Sequence, residues 1–269
     1  MNKKSLISIF LISCFAFLSL SFKSKIYIQF LLAKEKLSQL YKVNMSVFNT
    51  RKLEKCSIPL TSSIPKRSTV VVGHAYGAPG AGHDLISPSI NKFIRRNTNN
   101  IDVVIFSGDL LAAPTASKWK RLRSLIPKEI NIFVAPGNHD IGIEDSHSKN
   151  IFYSSYFGRT DYPYTLTLND FWITLEDSVT TNWLLNDKTI DMLNNSSKDN
   201  LLLIRHNVPI KELSFLANSQ EGNLNKLPTA KLLSKTLTKP LTIISGDSGA
   251  FNFLPRLSCF KYKNKLRVI

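Results

Sequence analysis

The sequence predicts an α/β fold, and three observations lead to this class. Three short runs of β-branched and apolar residues occur in the first half of the chain, at residues 69–72, 103–106 and 132–134. Helical patterns separate these runs, as they do in βαβ units. Each run is followed by glycine and then by Asp, Asn or His, which places polar side chains at the carboxyl ends of parallel strands, the edge where open sheets bind ligands.

Two helices are predicted between these strands. Ser87 and Pro88 supply an N-cap and a first-turn proline, and apolar residues at 90, 93 and 94 then share one face. In the second helix, Trp119, Leu122 and Ile126 share one face, while the basic residues 118, 120, 121 and 123 lie mostly on the other. Such a basic face is more often solvated surface than a nucleic-acid site.

The second half of the chain predicts a further sheet. Residues 164–168 and 171–175 alternate apolar and polar residues around Asn169 and Asp170, which is typical of a hairpin. The patterns that follow predict a helix at 183–193, a strand at 201–204, a helix at 228–237, a strand at 241–244, and strands at 259–262 and 266–269.

The first 25 residues have the pattern of an export signal or an uncleaved membrane anchor. Residues 6–22 are almost wholly apolar, and lysines lie on both sides of them. Small residues near Ser19 suit a signal peptidase, but the lysines that follow disfavour cleavage and favour a retained anchor. We therefore predict a signal or anchor at 1–25, a linker or stalk at 26–65 and a folded domain at 66–269, held at a membrane and facing the extracytoplasmic side.

Charge and cysteine content leave several classes of partner open. The net charge is +16, from 35 Lys and Arg against 19 Asp and Glu, which favours phosphate esters, nucleic acid or an anionic lipid surface. The same charge is compatible with cations spread over a solvated surface, because no run of five or six basic residues occurs. Outside the predicted membrane segment only Cys56 and Cys259 remain, and one pair does not identify a redox compartment.

Four polar motifs carry the candidate chemistry. They are Gly73-His74, Gly108-Asp109, the Gly-Asn-His-Asp of residues 137–140, and the Ile-Arg-His-Asn-Val-Pro of residues 204–209. Histidine, carboxylate and amide donors suit divalent cations, and a carboxylate such as that of Asp109 can join two cations that activate water and clamp a phosphate. The pattern therefore indicates a metal-dependent phosphoesterase.

These motifs resemble those of the calcineurin-like metallophosphoesterases over residues 66–269. Residues 137–140 match the family's most recognisable motif, Gly108-Asp109 matches its bridging-carboxylate motif, and His206 lies in a His-x-x-Pro match to its single-histidine motif. The resemblance implies a four-layer α/β/β/α sandwich, two metals and phosphoester hydrolysis. It also implies that Asn138 and His206 bind the second metal, and that His139, oriented by Asp140, stabilises the transition state or protonates the leaving oxygen.

Two departures from the family pattern change the expected ligand count. Val72 occupies the position of the first aspartate, and residues 246–249 read Gly-Asp-Ser-Gly where the family has Gly-His-x-His. Asp247 can replace the first of these histidines, but Gly249 cannot replace the second. Four ligands then remain for the second metal site, namely Asp109, Asn138, His206 and Asp247. Two ligands, His74 and Asp109, remain for the first. We expect one well-bound divalent ion of Mn, Fe or Zn.

The sequence leaves two functional alternatives. The leading one is a metal-dependent phosphoric ester hydrolase acting on a phosphorylated small molecule or saccharide. The Gly-His-x-Tyr-Gly of residues 73–77 resembles a subgroup associated with cell-surface polysaccharide biosynthesis. The other is a catalytically impaired member that binds a phosphate or polysaccharide ligand. The export-like N-terminus disfavours a nuclease. In the glycine-rich segment, His83 or Asp84 is a minor candidate for a surrogate ligand.

Overall fold

The computed structural model describes residues 54–57, 63–77, 83–142, 146–155, 157–218, 227–247, 259–263 and 265–269. The predicted signal or anchor at 1–25 lies outside them. Among the residues described, no helix is long and apolar enough to cross a bilayer.

The described elements form two sheets with helices, which confirms the α/β class. The strands are β1 Glu54–Lys55, β2 Ser68–Gly73, β3 Ile101–Ser107, β4 Asn131–Ala135, β5 Tyr164–Leu168, β6 Phe171–Leu175, β7 Asn200–Arg205, β8 Leu241–Ser245, β9 Phe260–Tyr262 and β10 Leu266–Val268. The helices are α1 Pro88–Arg96, α2 Ala116–Leu125, α3 Asn138–Ile141, α4 Ser146–Tyr153, α5 Asp187–Asn194, α6 Ile210–Asn218 and α7 Pro228–Thr236.

The first sheet has the order β2-β3-β4, and its strands are parallel. Because side chains alternate across a strand, β3 buries both of its faces. Val104 and Phe106 pack with the helices α1, α2 and α4, whereas Val103 and Ile105 pack with residues of the second sheet. Strands buried on both faces are continuous apolar runs, and this explains why the sequence identified them.

The second sheet has the order β1-β9-β10-β8-β7-β6-β5. The predicted hairpin is confirmed as β5 and β6, which pair antiparallel, and the strands β6, β7, β8 and β10 run parallel in that order. In β7, Leu201 and Leu203 pack in an apolar cluster with the helices α5, α6 and α7, while Leu202 and Ile204 face the first sheet. The two sheets therefore share one apolar cluster, and each has helices on its other face.

Two parts of the chain differ from the sequence prediction. The helix predicted at 183–193 begins at Asp187, because Asn182 and Trp183 have left-handed backbones with φ of 51° and 71°, and the side chain of Asn186 caps the helix by accepting from the Lys188 amide. In the predicted linker, β1 pairs with β9, and Cys56 forms a disulfide with Cys259. This part of the linker belongs to the sheet; the domain boundary at residue 66 stays a prediction.

A buried ion pair fixes the loop that precedes α5. The Arg205 guanidinium lies 3.2 Å from the Glu176 carboxylate and donates to the carbonyl oxygens of Trp183 and Leu184. Glu176 in turn accepts from the Asn186 amide. Arg205 is the last residue of β7 and directly precedes His206, so the pair also holds the end of that strand.

We expect Arg205→Met to lower the free energy of unfolding by about 3–5 kcal/mol, because it leaves the Glu176 carboxylate buried without its cation. Urea unfolding measures this loss. The matched control is Arg67→Met, since the Arg67–Asp102 pair is 82% and 49% exposed and its loss should cost about 0.5 kcal/mol or less. Adding Glu176→Gln to Arg205→Met should restore part of the loss; no restoration would contradict the ion-pair explanation.

Candidate metal centre

Five of the predicted donors meet where parallel strands of both sheets end. His74 follows β2, Asp109 follows β3 and Asn138 begins α3 after β4, while His206 and Asp247 follow β7 and β8 of the second sheet. The carboxyl ends of parallel strands therefore deliver donors from two sheets to one place. One ligand atom each from His74, Asp109 and His206 lies within 4.8 Å of the other two.

The hydrogen bonds of His206 leave one ring nitrogen facing oxygen atoms. Its Nδ1 lies 3.1 Å from the Ser107 carbonyl oxygen, which can only accept, so Nδ1 carries a proton. The Nε2 atom then lies 3.1 Å from Asn138 Oδ1 and 3.4 Å from Asp109 Oδ1. In the neutral ring, the lone pair of Nε2 therefore faces the lone pairs of these two oxygen atoms. A proton or a cation between them stabilises this arrangement.

Asp247 and Asp109 both extend from one histidine to the other. Asp109 Oδ2 and Asp247 Oδ1 lie 3.3 and 3.7 Å from His74 Nδ1. On the other side, Asp247 Oδ2 lies 3.9 Å from His206 Nε2 and accepts a hydrogen bond from Asn207. His74 Nδ1 is buried and makes no hydrogen bond with the residues that the structure describes. A buried ring nitrogen without a hydrogen-bond partner is typical of a metal-binding site.

Glycines permit the two sheets to approach this closely. Gly108 has φ of 82°, and a Cβ atom there would overlap the imidazole of His206. A Cβ on Gly246 would overlap the Ser107 carbonyl oxygen, and one on Gly73 would lie 2.7 Å from the Gly246 Cα. The motif glycines are therefore required because side chains would separate the donors.

Asp140 holds the backbone around Asp109, in a way that differs from its predicted role. Its carboxylate accepts from the amides of Asp109, Leu110 and Gly137 at 2.7, 2.9 and 2.9 Å. The sequence predicted that Asp140 orients His139, but the His139 Nδ1 atom lies 2.8 Å from the Ala112 carbonyl oxygen, which it must donate to. Asp140 therefore positions the chain that carries Asp109, and Ala112 orients the His139 ring.

Tyr76 approaches His139 and was not identified as a site residue from the sequence. Its hydroxyl lies 3.4 Å from His139 Nε2, and its ring centroid lies 4.9 Å from that of His74. Its backbone amide donates to the Asp109 carbonyl. Asn207, which orients Asp247, was missed as well. Both residues are adjacent or nearly adjacent to a predicted ligand, and this proximity in the chain is the signal that could have identified them.

Burial and clustered carboxylates dominate the electrostatics of the site. Burial raises the pKa of Asp140 to about 7 and that of Asp247 to about 6, and in both cases the nearby Asp109 adds to the increase. Burial alone would lower the pKa of His206, but Asp109 and Asp247 together raise it. Burial lowers the pKa of His74 despite the nearby Asp109. The raised pKa values of His206 and Asp247 mean that these two groups hold protons more readily, and a cation bound to the same atoms would compete with those protons.

The donors fit a divalent transition-metal cation. Imidazole nitrogens and carboxylate oxygens suit Mn, Fe and Zn, and the fixed tautomer of His206 leaves Nε2 free to bind. The cluster of His74, Asp109 and His206 includes neither Asp247 nor His83, but the Asp247 carboxylate lies within 3.9 Å of both histidines. The alternative ligand Asp84 does not join them, because its carboxylate lies 3.4 Å from the Lys118 ammonium and its side chain is 73% exposed.

A model of the calcineurin-like phosphoesterase family matches residues 79–252. The chain belongs to this family. The matched range contains Asp109, Asn138, His206 and Asp247 and begins after His74. No curated protein matches the chain. The chemistry of this family is metal-dependent phosphoester hydrolysis. The described residues contain a cluster that can hold a metal.

We expect Gly108→Ala to weaken Mn²⁺ binding at least tenfold, roughly 1.4 kcal/mol or more, because the added methyl group displaces His206. Isothermal titration calorimetry of the two proteins measures this. Gly158→Ala is the matched control, since a Cβ there would overlap the Phe152 carbonyl oxygen instead of a site residue. It should reduce stability and leave Mn²⁺ affinity unchanged. Equal affinity losses in both variants would contradict the role of Gly108.

The metal-free protein should lose stability as pH rises from about 4 to about 7. The pKa of Asp247 is about 6 in the folded protein and 3.8 as its ordinary value, so the folded state binds more protons in this range and rising pH removes that advantage. Asp247→Asn lacks this proton. Urea unfolding should show the stability of the metal-free wild type falling relative to Asp247→Asn by about 2–3 kcal/mol between these pH values. A constant difference across the range would contradict this assignment.

Proposed function

We propose that the chain hydrolyses phosphate esters at this centre, with one well-bound divalent cation held by Asp109, Asn138, His206 and Asp247. The observation that carries the proposal is the position of His206 Nε2, which faces oxygen atoms of the other three residues while its Nδ1 proton is held by Ser107. The shared apolar cluster between the sheets and the helices outside them support the four-layer α/β/β/α sandwich of the family.

One cation is proposed because the remaining donors are too few for two strong sites. Val72, at the position of the family's first aspartate, packs against the apolar cluster of the first sheet and provides no ligand. This leaves His74 and one oxygen of Asp109 on that side, with Asp247 Oδ1 at 3.7 Å. Two or three donors bind a cation less tightly than the four on the His206 side.

A divalent cation at this centre supplies Lewis acidity for a phosphoryl oxygen and for the attacking water. The protein's own residues would donate the proton and position the carboxylate. His139 holds a proton on Nδ1 through Ala112 and directs Nε2 towards Tyr76, so Nε2 is the atom from which the charged ring would donate to the leaving oxygen. The amide of His139 donates to Asp109 Oδ1 and holds that carboxylate in place.

The substrate we propose is a phosphorylated small molecule or saccharide on the extracytoplasmic side of a membrane, in cell-surface polysaccharide metabolism. The Gly-His-x-Tyr-Gly of residues 73–77 supports the substrate class only through its resemblance to the subgroup associated with polysaccharide biosynthesis. The Cys56–Cys259 disulfide supports the compartment, because such bonds persist in oxidising environments. The apolar stretch at 6–22 supports the attachment to a membrane.

The test is hydrolysis of aryl phosphate mono- and diesters by the purified full chain with Mn²⁺, Fe²⁺ or Zn²⁺. We expect activity that falls at least about 100-fold in Asn138→Ala and His206→Ala, because each removes a ligand. The matched controls are Asn150→Ala and His147→Ala, the same residue types at exposed positions of α4, and they should keep full activity.

Absence of hydrolysis with every metal and both ester classes would contradict the proposal. If the protein then still bound phosphate or an acidic saccharide in a manner that required His206, the catalytically impaired alternative would be supported. Activity that survives both ligand substitutions would show that hydrolysis occurs elsewhere or by a contaminant.

A further inference from the structure

Three helices that cover the first sheet, α1, α2 and α4, carry only basic charge. α1 contains Lys92, Arg95 and Arg96, α2 contains four Lys and Arg, and α4 contains Lys149, and none of the three contains Asp or Glu. All three pack on the same face of β2, β3 and β4 through residues of one apolar cluster. These three helices therefore place eight cations on one side of the sheet, of which Lys118 pairs with Asp84, and their outward side is called here the basic helix layer.

The helices on the second sheet have a different charge pattern. α5 contains Asp187 and Asp191 beside Lys188, α6 contains an exposed Lys211 and a buried Glu212, and α7 contains Lys231 and Lys235 without an acidic residue. A general excess of lysine in the composition would enrich both helix layers in the same way. Instead, α1, α2 and α4 carry eight cations and no acidic residue, whereas α5, α6 and α7 carry four lysines and two exposed aspartates. Positive charge is therefore concentrated on the first set of helices, and such a concentration produces a field that acts on partners.

The basic helix layer combines these cations with exposed apolar surface. Phe93 is 42% exposed and lies on α1 beside exposed Lys92 and Arg96. A groove of about 710 Å³ lies between α2 and α4, and Lys120, Arg123 and Lys128 line it together with Ile126 and Ile151. Among the described residues, its lining includes serine hydroxyls and no carboxylate. Cations around an apolar side chain and a groove of this kind match a phosphate headgroup at its boundary with acyl chains.

We propose that the basic helix layer binds the anionic lipid headgroups of a membrane surface. The apolar stretch predicted at residues 6–22 would hold the domain close to such a surface. An exposed phenylalanine among cations favours a lipid surface over duplex nucleic acid, because the phosphate backbone of a duplex offers no apolar layer for Phe93 to enter.

The experiment reconstitutes the full chain in nanodiscs of phosphatidylcholine alone or with phosphatidylglycerol and measures amide hydrogen exchange. We expect exchange in α1 and α2 to slow at least about fivefold in the anionic discs alone, while α5 and α7 stay unchanged. About 0.5 M salt should abolish the effect, since it screens charges over a few ångströms. Equal exchange in both lipid compositions would overturn the proposal.

Charge reversal supplies the matched comparison. Lys92→Glu with Arg96→Glu should remove the slowing, whereas Lys211→Glu with Lys235→Glu, which changes the net charge equally at exposed positions of the other helix layer, should retain it. If both double variants lost the slowing of exchange, the proposal would be overturned, because the net charge of the chain and not the basic helix layer would then cause the slowing. If exchange slowed with a 30-base-pair duplex but did not slow with anionic discs, the layer would be assigned to nucleic-acid binding. That result would also overturn the proposal.

Discussion

The centre depends on the direct approach of two backbones from different sheets. The chain at Gly73 and Ser107 in the first sheet touches the chain at Gly246 in the second, so closely that a methyl group on Gly246 would overlap the Ser107 carbonyl. That carbonyl also accepts the proton of His206 Nδ1. The Ser107 carbonyl thus both contacts the second sheet and orients the His206 ring. Shifting either sheet would separate the donors.

The fold holds the donors in conformations that cost free energy. His74 and Asp109 have left-handed backbones with φ of 46° and 55°, and such conformations cost roughly 1–3 kcal/mol each for residues other than glycine. Buried Asp140 and Asp247 are kept close to Asp109, which raises the pKa of both. Strain and carboxylate repulsion are opposed by hydrogen bonds from backbone amides to Asp140 and by the packing of both sheets. The arrangement is typical of a site prepared for a cation.

The sequence predicted what local patterns determine and missed what tertiary contacts determine. The three parallel strands of the first sheet pack apolar side chains on both faces, so their apolar runs were visible, and the motifs that follow them could be placed at strand ends. The partner of His139 could not be predicted, because the Ala112 carbonyl that fixes its ring carries no side-chain signal. The start of α5 depends on two residues with positive φ, and β1 pairs with a strand some 200 residues away. Neither has a periodic pattern.

Charge acts on this protein at two distances. The net charge of +16 attracts phosphate groups over the range of a screened field, about 8–10 Å. Within the centre, however, Asp109 and Asp247 flank the two histidines, and their negative charge repels a phosphate at contact distance. The overall basic charge therefore raises the local concentration of anionic ligands, but only a cation held among these donors turns their repulsion of phosphate into attraction. In the proposed function, substrate binding to this basic domain would therefore depend on a cation at the acidic centre.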